Sequence, residues 1–198
     1  SPESKQELKN ENASRMNELG ARFLLKHEIA DHHTFFYGWE GAYQRYMPDY
    51  VYKSLNKHKS VYHSDHLTLF KTSVYVYDEF KYRKWLFSAG LRASLYRSEN
   101  ISRFAWEPRL KINTFIGEKD KLMLAYDRMY QPVHTINEID YNAKTDYWVP
   151  FRENILPQSD QISVGWKNYT NEHLTLSIEA YYKSMRNLLL IRNLEYYL

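Results

Sequence analysis

The sequence contains no cysteine. That excludes a disulfide scaffold and a thiolate zinc site, and it agrees with an export route that avoids stray disulfides. Long hydrophobic runs are missing too. The longest, at Leu188–Ile191, falls far short of the roughly 18 apolar residues that a membrane-spanning helix needs. The polar stretch Ser1–Asn12 has no signal-peptide character, so a mature chain or an internal fragment is expected. Neither sign of charge dominates: 27 basic residues stand against 24 acidic ones, and a net charge of +3 gives no argument for nucleic acid. There is no P-loop for a nucleotide and no G-x-S-x-G elbow for a serine nucleophile.

Aromatic residues, by contrast, make up 17% of the 198 residues, and 19 of them are tyrosines. A ring with a polar tip suits a membrane–water interface. A tyrosine-rich soluble β-protein would share that composition. The order of the residues says more. Phe87, Ala89, Leu91, Ala93 and Leu95 alternate with Ser88, Gly90, Arg92, Ser94 and Tyr96. Leu174, Leu176, Ile178, Ala180 and Tyr182 alternate with Thr175, Ser177, Glu179, Tyr181 and Lys183. A period of two means β-strands with one apolar and one polar face. A helical period competes over no long window.

The same alternation extends to other segments. Leu19, Ala21, Phe23, Leu25 and Ile29 share a face, with Leu24 as the exception. After a turn at Ala30–His33, Phe35, Tyr37, Trp39, Gly41 and Tyr43 return. A strand is expected over about His66–Asp78, then a reversal at Phe80–Arg83 and a strand at Trp85–Tyr96. Ser98–Arg103 reads as a loop. Arg109–Ile116 and Leu122–Gln131 flank a turn at Gly117–Asp120, and Gln161–Lys167 and Leu174–Lys183 flank one at Thr170–His173. Pro48–Asp65 and Pro132–Ser159 read as long connections, the second carrying Pro132, Pro150 and Pro157, which makes regular pairing throughout it unexpected. Asn187–Leu198 begins a further strand or ends the segment.

These readings predict an all-β fold of about eight antiparallel strands in four hairpins, an up-and-down transmembrane β-barrel segment. Short turns gather at one rim and long loops at the other, as outer-membrane barrels show. Residues 1–15 are expected as a mobile polar end or loop and residues 16–198 as the partial barrel.

From Trp106 onward an ordered series becomes specific: Glu107-Pro108-Arg109-Leu110, Leu124 to His134, Thr145 to Pro150, Pro157 to Gln161 and Ser177 to Leu188. With Ala89-Gly90-Leu91-Arg92, this series resembles the barrel of TonB-dependent outer-membrane receptors of the Bacteroidetes type, over roughly Glu18 to Asn187. The family's full barrel has about 22 strands around a plug. The resemblance therefore implies a piece of barrel without plug, TonB-contacting segment or final strand. It implies the bacterial outer membrane, lipid around the wall, TonB acting through the plug, and import of a scarce large nutrient such as a siderophore, vitamin or glycan. A surface lipoprotein lid is a further partner that it allows. No cofactor is implied.

Candidate chemistry is sparse. His32-His33 lie in a turn where adjacent side chains diverge, and His58, His63 and His66 share a loop region without a zinc spacing, so no metal site is assigned. His134, Asp146 and Ser159 share the long connection, yet no acid–base pair is fixed by spacing, so no catalytic residue is assigned. The lumen-facing set expected from the polar faces is Arg22, Glu40, Arg92, Arg109, Lys111, Glu179 and Lys183, together with Lys26 and Glu28. In the extracellular loop, His134, Asp146, Tyr147 and Trp148 combine aromatic platforms with polar groups and are the candidates for substrate contact. Two rivals remain open: a complete small eight-stranded barrel with a structural or adhesive role, and a soluble β-sandwich that binds glycans.

Overall fold

The computed structural model describes residues 11–53, 59–63, 66–140, 143–151, 155–171 and 173–188. These form eleven strands and, among the described residues, no helix. They are β1 (Glu11–Ile29), β2 (His33–Lys53), β3 (Lys59–His63), β4 (Leu67–Tyr82), β5 (Trp85–Ser98), β6 (Ile101–Ile116), β7 (Asp120–Tyr130), β8 (Val133–Asp140), β9 (Ala143–Pro150), β10 (Gln158–Asn171) and β11 (Leu174–Arg186). The main sheet runs β1-β2-β4-β5-β6-β7-β10-β11, each strand antiparallel to its neighbours, with β3 paired to the far end of β2. This is the up-and-down order expected from the alternation, in the four expected hairpins.

Several expectations are corrected. The eight expected strands form the main path of the sheet, and both long connections carry strands as well: β2 runs on through Pro48 to pair with β3, and β8 pairs with β9 within Pro132–Ser159. Beyond the band of one-sided burial these strands no longer alternate cleanly, so a period-two reading misses them. Phe80–Tyr82 is strand, and the reversal falls at Arg83-Lys84. Ser98–Arg103 is no loop: only Glu99-Asn100 separate β5 from β6, so one tight turn lies at the long-loop rim. Tight reversals place Ala30, Arg83 and Glu99 at φ of 53°, 52° and 50°, and Gly117 at 71°. Residues 1–10, His58 and most of Asn187–Leu198 lie outside the described residues.

The pairing register gives every strand two faces. One carries Leu19, Phe23, Leu25, Val74, Leu91, Leu110, Leu124, Ile162, Val164 and Ile178, all exposed. The other carries Gln44, Ser73, Ser88, Ser94, Glu107, Asn113 and Ser163, all buried. The usual partition of a water-soluble fold is inverted. Arg22 on β1 and Glu179 on β11, at opposite edges of the sheet, line the same hollow, so the sheet curls around its polar face. Leu24, the exception to the alternation in β1, sits on this inner face beside Phe36.

Successive short turns fall progressively further along the pairing rows, from Ala30–His32 to Arg83-Lys84 to Gly117–Lys119. The stagger is about one residue per strand, roughly 3.3 Å against a strand spacing of about 4.8 Å, which is a tilt of about 35°. Two aromatic groups bound the outer apolar face. At the short-turn rim His33 stacks on Phe80 at 4.5 Å, Phe80 on Phe87 at 6.1 Å, and Phe87 on Trp85 at 5.8 Å. Toward the other rim lie Tyr43, Phe70 and the edge-to-face pair Phe104–Trp106, 4.9 Å apart. From Phe35 to Tyr43 along β2 is about 26 Å of strand, or roughly 22 Å of height at that tilt, close to the ~25 Å apolar band of an outer-membrane barrel.

The sheet is open. Among the described residues β1 and β11 do not pair and no second sheet covers the outer apolar face. Neither a closed eight-stranded barrel nor a two-layer sandwich is what these residues form.

Candidate substrate chamber

A polar ladder crosses the inner face. On β2, Glu40 faces Arg22 of β1 at 3.4 Å and is ion-paired to Arg92 of β5. The Arg92 guanidinium also donates to Ser73 on β4 at 3.2 Å and to Ser94 at 3.3 Å, and lies 5.9 Å from the centre of the Tyr75 ring. Ser94 donates to Glu107 on β6 at 2.8 Å, Tyr96 donates to the same carboxylate at 3.1 Å, and Arg109 stands 3.9 Å from its other oxygen. Five strands are thus cross-linked by charge-assisted hydrogen bonds, and Glu107, 5% exposed, is the best satisfied acid in the chain of contacts.

Glycine makes the ladder possible. At Gly38 a side chain would collide with the Tyr75 ring, and at Gly90 a Cβ would fall 2.7 Å from Tyr77. Both tyrosines therefore lie flat along the inner wall instead of filling the hollow. The space left measures about 740 Å³ and is lined by Arg22, Glu40, Arg92, Arg109, Lys111 and Glu179 among others. Of the seven residues expected on the lumen side, these six share one hollow. Lys183 pairs with Gln161 on the same face, and Gln161 lines the hollow. Lys26 and Glu28 sit lower on that face, 2.5 Å apart and exposed. Glu107, Tyr75 and Asp127 also line this hollow and were not expected from the sequence, whereas Ser94 lies on the polar face where the alternation put it. For Glu107 the signal was present: polar alternation runs back from Arg109, but Pro108 obscured it.

The connection after β7 folds over this face at the long-loop rim. Its base is closed by two backbone bonds, Gln131 N–H to Pro157 O at 3.0 Å and Phe151 N–H to Pro132 O at 2.8 Å. Phe151 and Leu156 then enter an apolar cluster with Tyr46, Leu67, Leu69, Tyr96 and Ala105 of the wall. β9 lies against β1, β2 and β4. Of the expected contact residues, His134 is half-buried in β8 and Trp148 in β9 is 47% exposed. Burial alone pushes the His134 imidazole below its ordinary pKa. Asp146 and Tyr147 take register positions opposite Asn137 and Ile136, and their side chains lie outside the described residues. The Ser159 hydroxyl has no hydrogen-bond partner, so no base activates it. Among the described residues no group of three His, Asp or Glu could hold a metal ion.

A family model described as "TonB dependent receptor-like, beta-barrel" matches residues 4–196. The chain belongs to that family. Its members are receptors and transporters of the Gram-negative outer membrane. No curated protein sequence matches this chain. Two solved structures share the fold at very low identity. One is the F3-3 variant of the FrpB iron transporter from Neisseria meningitidis, with TM-score 0.68, 11% identity, 93% of this chain covered and 30% of that one. The other is the F5-1 variant in its apoprotein form, with TM-score 0.65, 10% identity, 88% of this chain covered and 30% of that one. The chain thus spans about 30% of the length of the FrpB structures.

Proposed function

We propose that this chain is a sector of wall, chamber lining and one extracellular loop of an active importer in a bacterial outer membrane. The observation that carries this reading is the inverted partition: an exposed apolar face of bilayer height outside, and a buried, ion-paired face inside. The cargo would be a scarce large nutrient, either a siderophore or other iron carrier, as the word "iron" in the FrpB titles suggests, or a vitamin or glycan. A plug outside this chain would fill the lumen against Arg22, Glu40, Arg92, Arg109, Lys111, Glu179 and Lys183, and TonB would act through that plug. The two unpaired sheet edges would be completed by further strands of the same barrel. His134, Asp146, Tyr147 and Trp148 would meet the cargo from the loop, with a surface lipoprotein as a lid. The order of motifs from Glu107 to Leu188 supports a receptor of the Bacteroidetes type.

The test is uptake by intact cells. Cells carrying the full protein are expected to accumulate one labelled compound among iron chelates, cobalamin and oligosaccharides, and to lose that uptake when TonB is deleted. Trp148→Ala should raise the concentration needed for half-maximal uptake. Recovery of the protein in the soluble periplasmic fraction, or uptake indifferent to TonB, would sink the proposal.

A further inference from the structure

The two sides of the inner wall differ in lining and in cover. On β1, β2 and β4 the inner face turns apolar at mid-height. Leu24 pairs with Gly38 and Gly38 with Tyr75, while Phe36 pairs with Tyr77, their rings 5.9 Å apart. All but the glycine line the hollow. On β7, β10 and β11 the inward rows read Ala125–Ser163–Tyr181 and Asp127–Gln161–Lys183 instead, with Gly165 beside them. Small or polar side chains predominate there.

The loop between β7 and β10 covers only the first side. It leaves the rim at Gln131 and Pro157, whose backbones bond at 3.0 Å. Phe151 and Leu156 dock on Tyr46, Leu69 and Tyr96 of the wall, and β9 lies against β1, β2 and β4. Among the described residues neither strand of the loop approaches β10 or β11 as closely. Lining and cover are independent observations, and both close the same side. Apolar rings facing a narrow lumen shed water and resist a hydrated solute. Small side chains leave room, and polar ones replace the water contacts that a solute gives up. Lys111 and Lys183 are offset by Asp127 and Glu179, so the second side attracts neither anions nor cations strongly.

We infer that hydrophilic cargo crosses the lumen along β7, β10 and β11, and that β1, β2 and β4 form the closed side beneath the loop. Such a passage presupposes the importer proposed above and assigns the route to one side of its chamber.

Thiol labelling of the full protein in intact cells with active TonB tests it. This chain has no cysteine, so each introduced thiol is the only one in it. Tyr181 and Leu24 suit the comparison because both are open on the inner face, 69% and 54% exposed, yet lie on opposite sides. Two membrane-impermeant reagents are added outside, an anionic sulfonated maleimide and a cationic trimethylammonium methanethiosulfonate. Each is expected to label Tyr181→Cys and Lys183→Cys several-fold faster than Leu24→Cys and Phe36→Cys. Phe151→Ala, which removes the anchor of the loop, should bring the rate at Leu24→Cys up toward that at Tyr181→Cys. Equal rates on the two sides, faster reaction at Leu24→Cys, silence at all four positions, or a preference shown by one reagent alone overturns the inference. So does a rate at Leu24→Cys that Phe151→Ala leaves unchanged. Heat-modifiable gel migration reports whether each variant folds, and Ser177→Cys on β11 and Lys26→Cys on β1 replace any that does not. A protein absent from the outer-membrane fraction fails the importer proposal itself, which separates the two failures.

Discussion

Tyr77 of β4 lies across Gly90 of β5, so close that a Cβ at position 90 would fall 2.7 Å from the ring. The neighbouring Ser88 is 4% exposed, which leaves the ring little room to retreat. Gly90→Val should therefore cost about 1–3 kcal/mol through overpacking of the inner wall. Urea unfolding in detergent, followed by intrinsic fluorescence, measures it. An unchanged midpoint would show that the tyrosine moves freely.

Arg92 holds two acids on different strands, Glu40 and Glu107. Arg92→Met removes the charge and its hydrogen bonds but keeps the stem, so the loss should be about 1.5–3 kcal/mol. Adding Glu40→Gln should recover part of that loss, because one carboxylate then no longer needs the guanidinium. Strict additivity of the two substitutions would mean that the contacts contribute nothing jointly.

Leu91 and Leu19 both face outward, but Leu19 pairs with Tyr43 at the aromatic girdle whereas Leu91 lies in the middle of the band. In lipid the cost of a charge depends on depth. Leu91→Lys should cost about 2–4 kcal/mol and Leu19→Lys at most about 1 kcal/mol. Assembly yield in the outer membrane should fall in the same order. Equal tolerance of both would place this face in water.

His134 gives the loop a pH dependence. Its imidazole is held below the ordinary value by burial, so the folded loop prefers it neutral. Near pH 6.5 and below, the unfolded loop binds a proton that the folded loop does not. The stability of the loop is thus complete above about pH 6.5 and declines as pH falls from there toward the lowered folded value. Limited proteolysis between residues 131 and 157 should quicken over that interval, and His134→Leu should flatten the profile. Phe151→Ala, which empties the buried end of the loop, should release it at every pH with a loss of about 3–5 kcal/mol. A wild-type profile that is flat from pH 7 to 5 would deny His134 this role.

The order of residues is enough to place the strands of the wall and give each two faces. Leu91 and Arg92 must point opposite ways in any β-strand, because pleating alternates the two faces; every apolar set read from Leu19 to Tyr182 then falls on one side of the sheet through the pairing register. It also implied that the rows of Arg22, Glu40, Arg92 and Arg109 share the other side. Which of these side chains meet is a matter of how the strands pair in the folded sheet. Register joins Glu40 to Arg92 across β4 and brings Glu107, behind Pro108, to Ser94, and register depends on long-range pairing that local alternation does not encode. Tertiary structure also decided that Pro132–Ser159 turns inward, since Phe151 has no period to betray its burial and finds its partners on β2, β4, β5 and β6, distant in sequence.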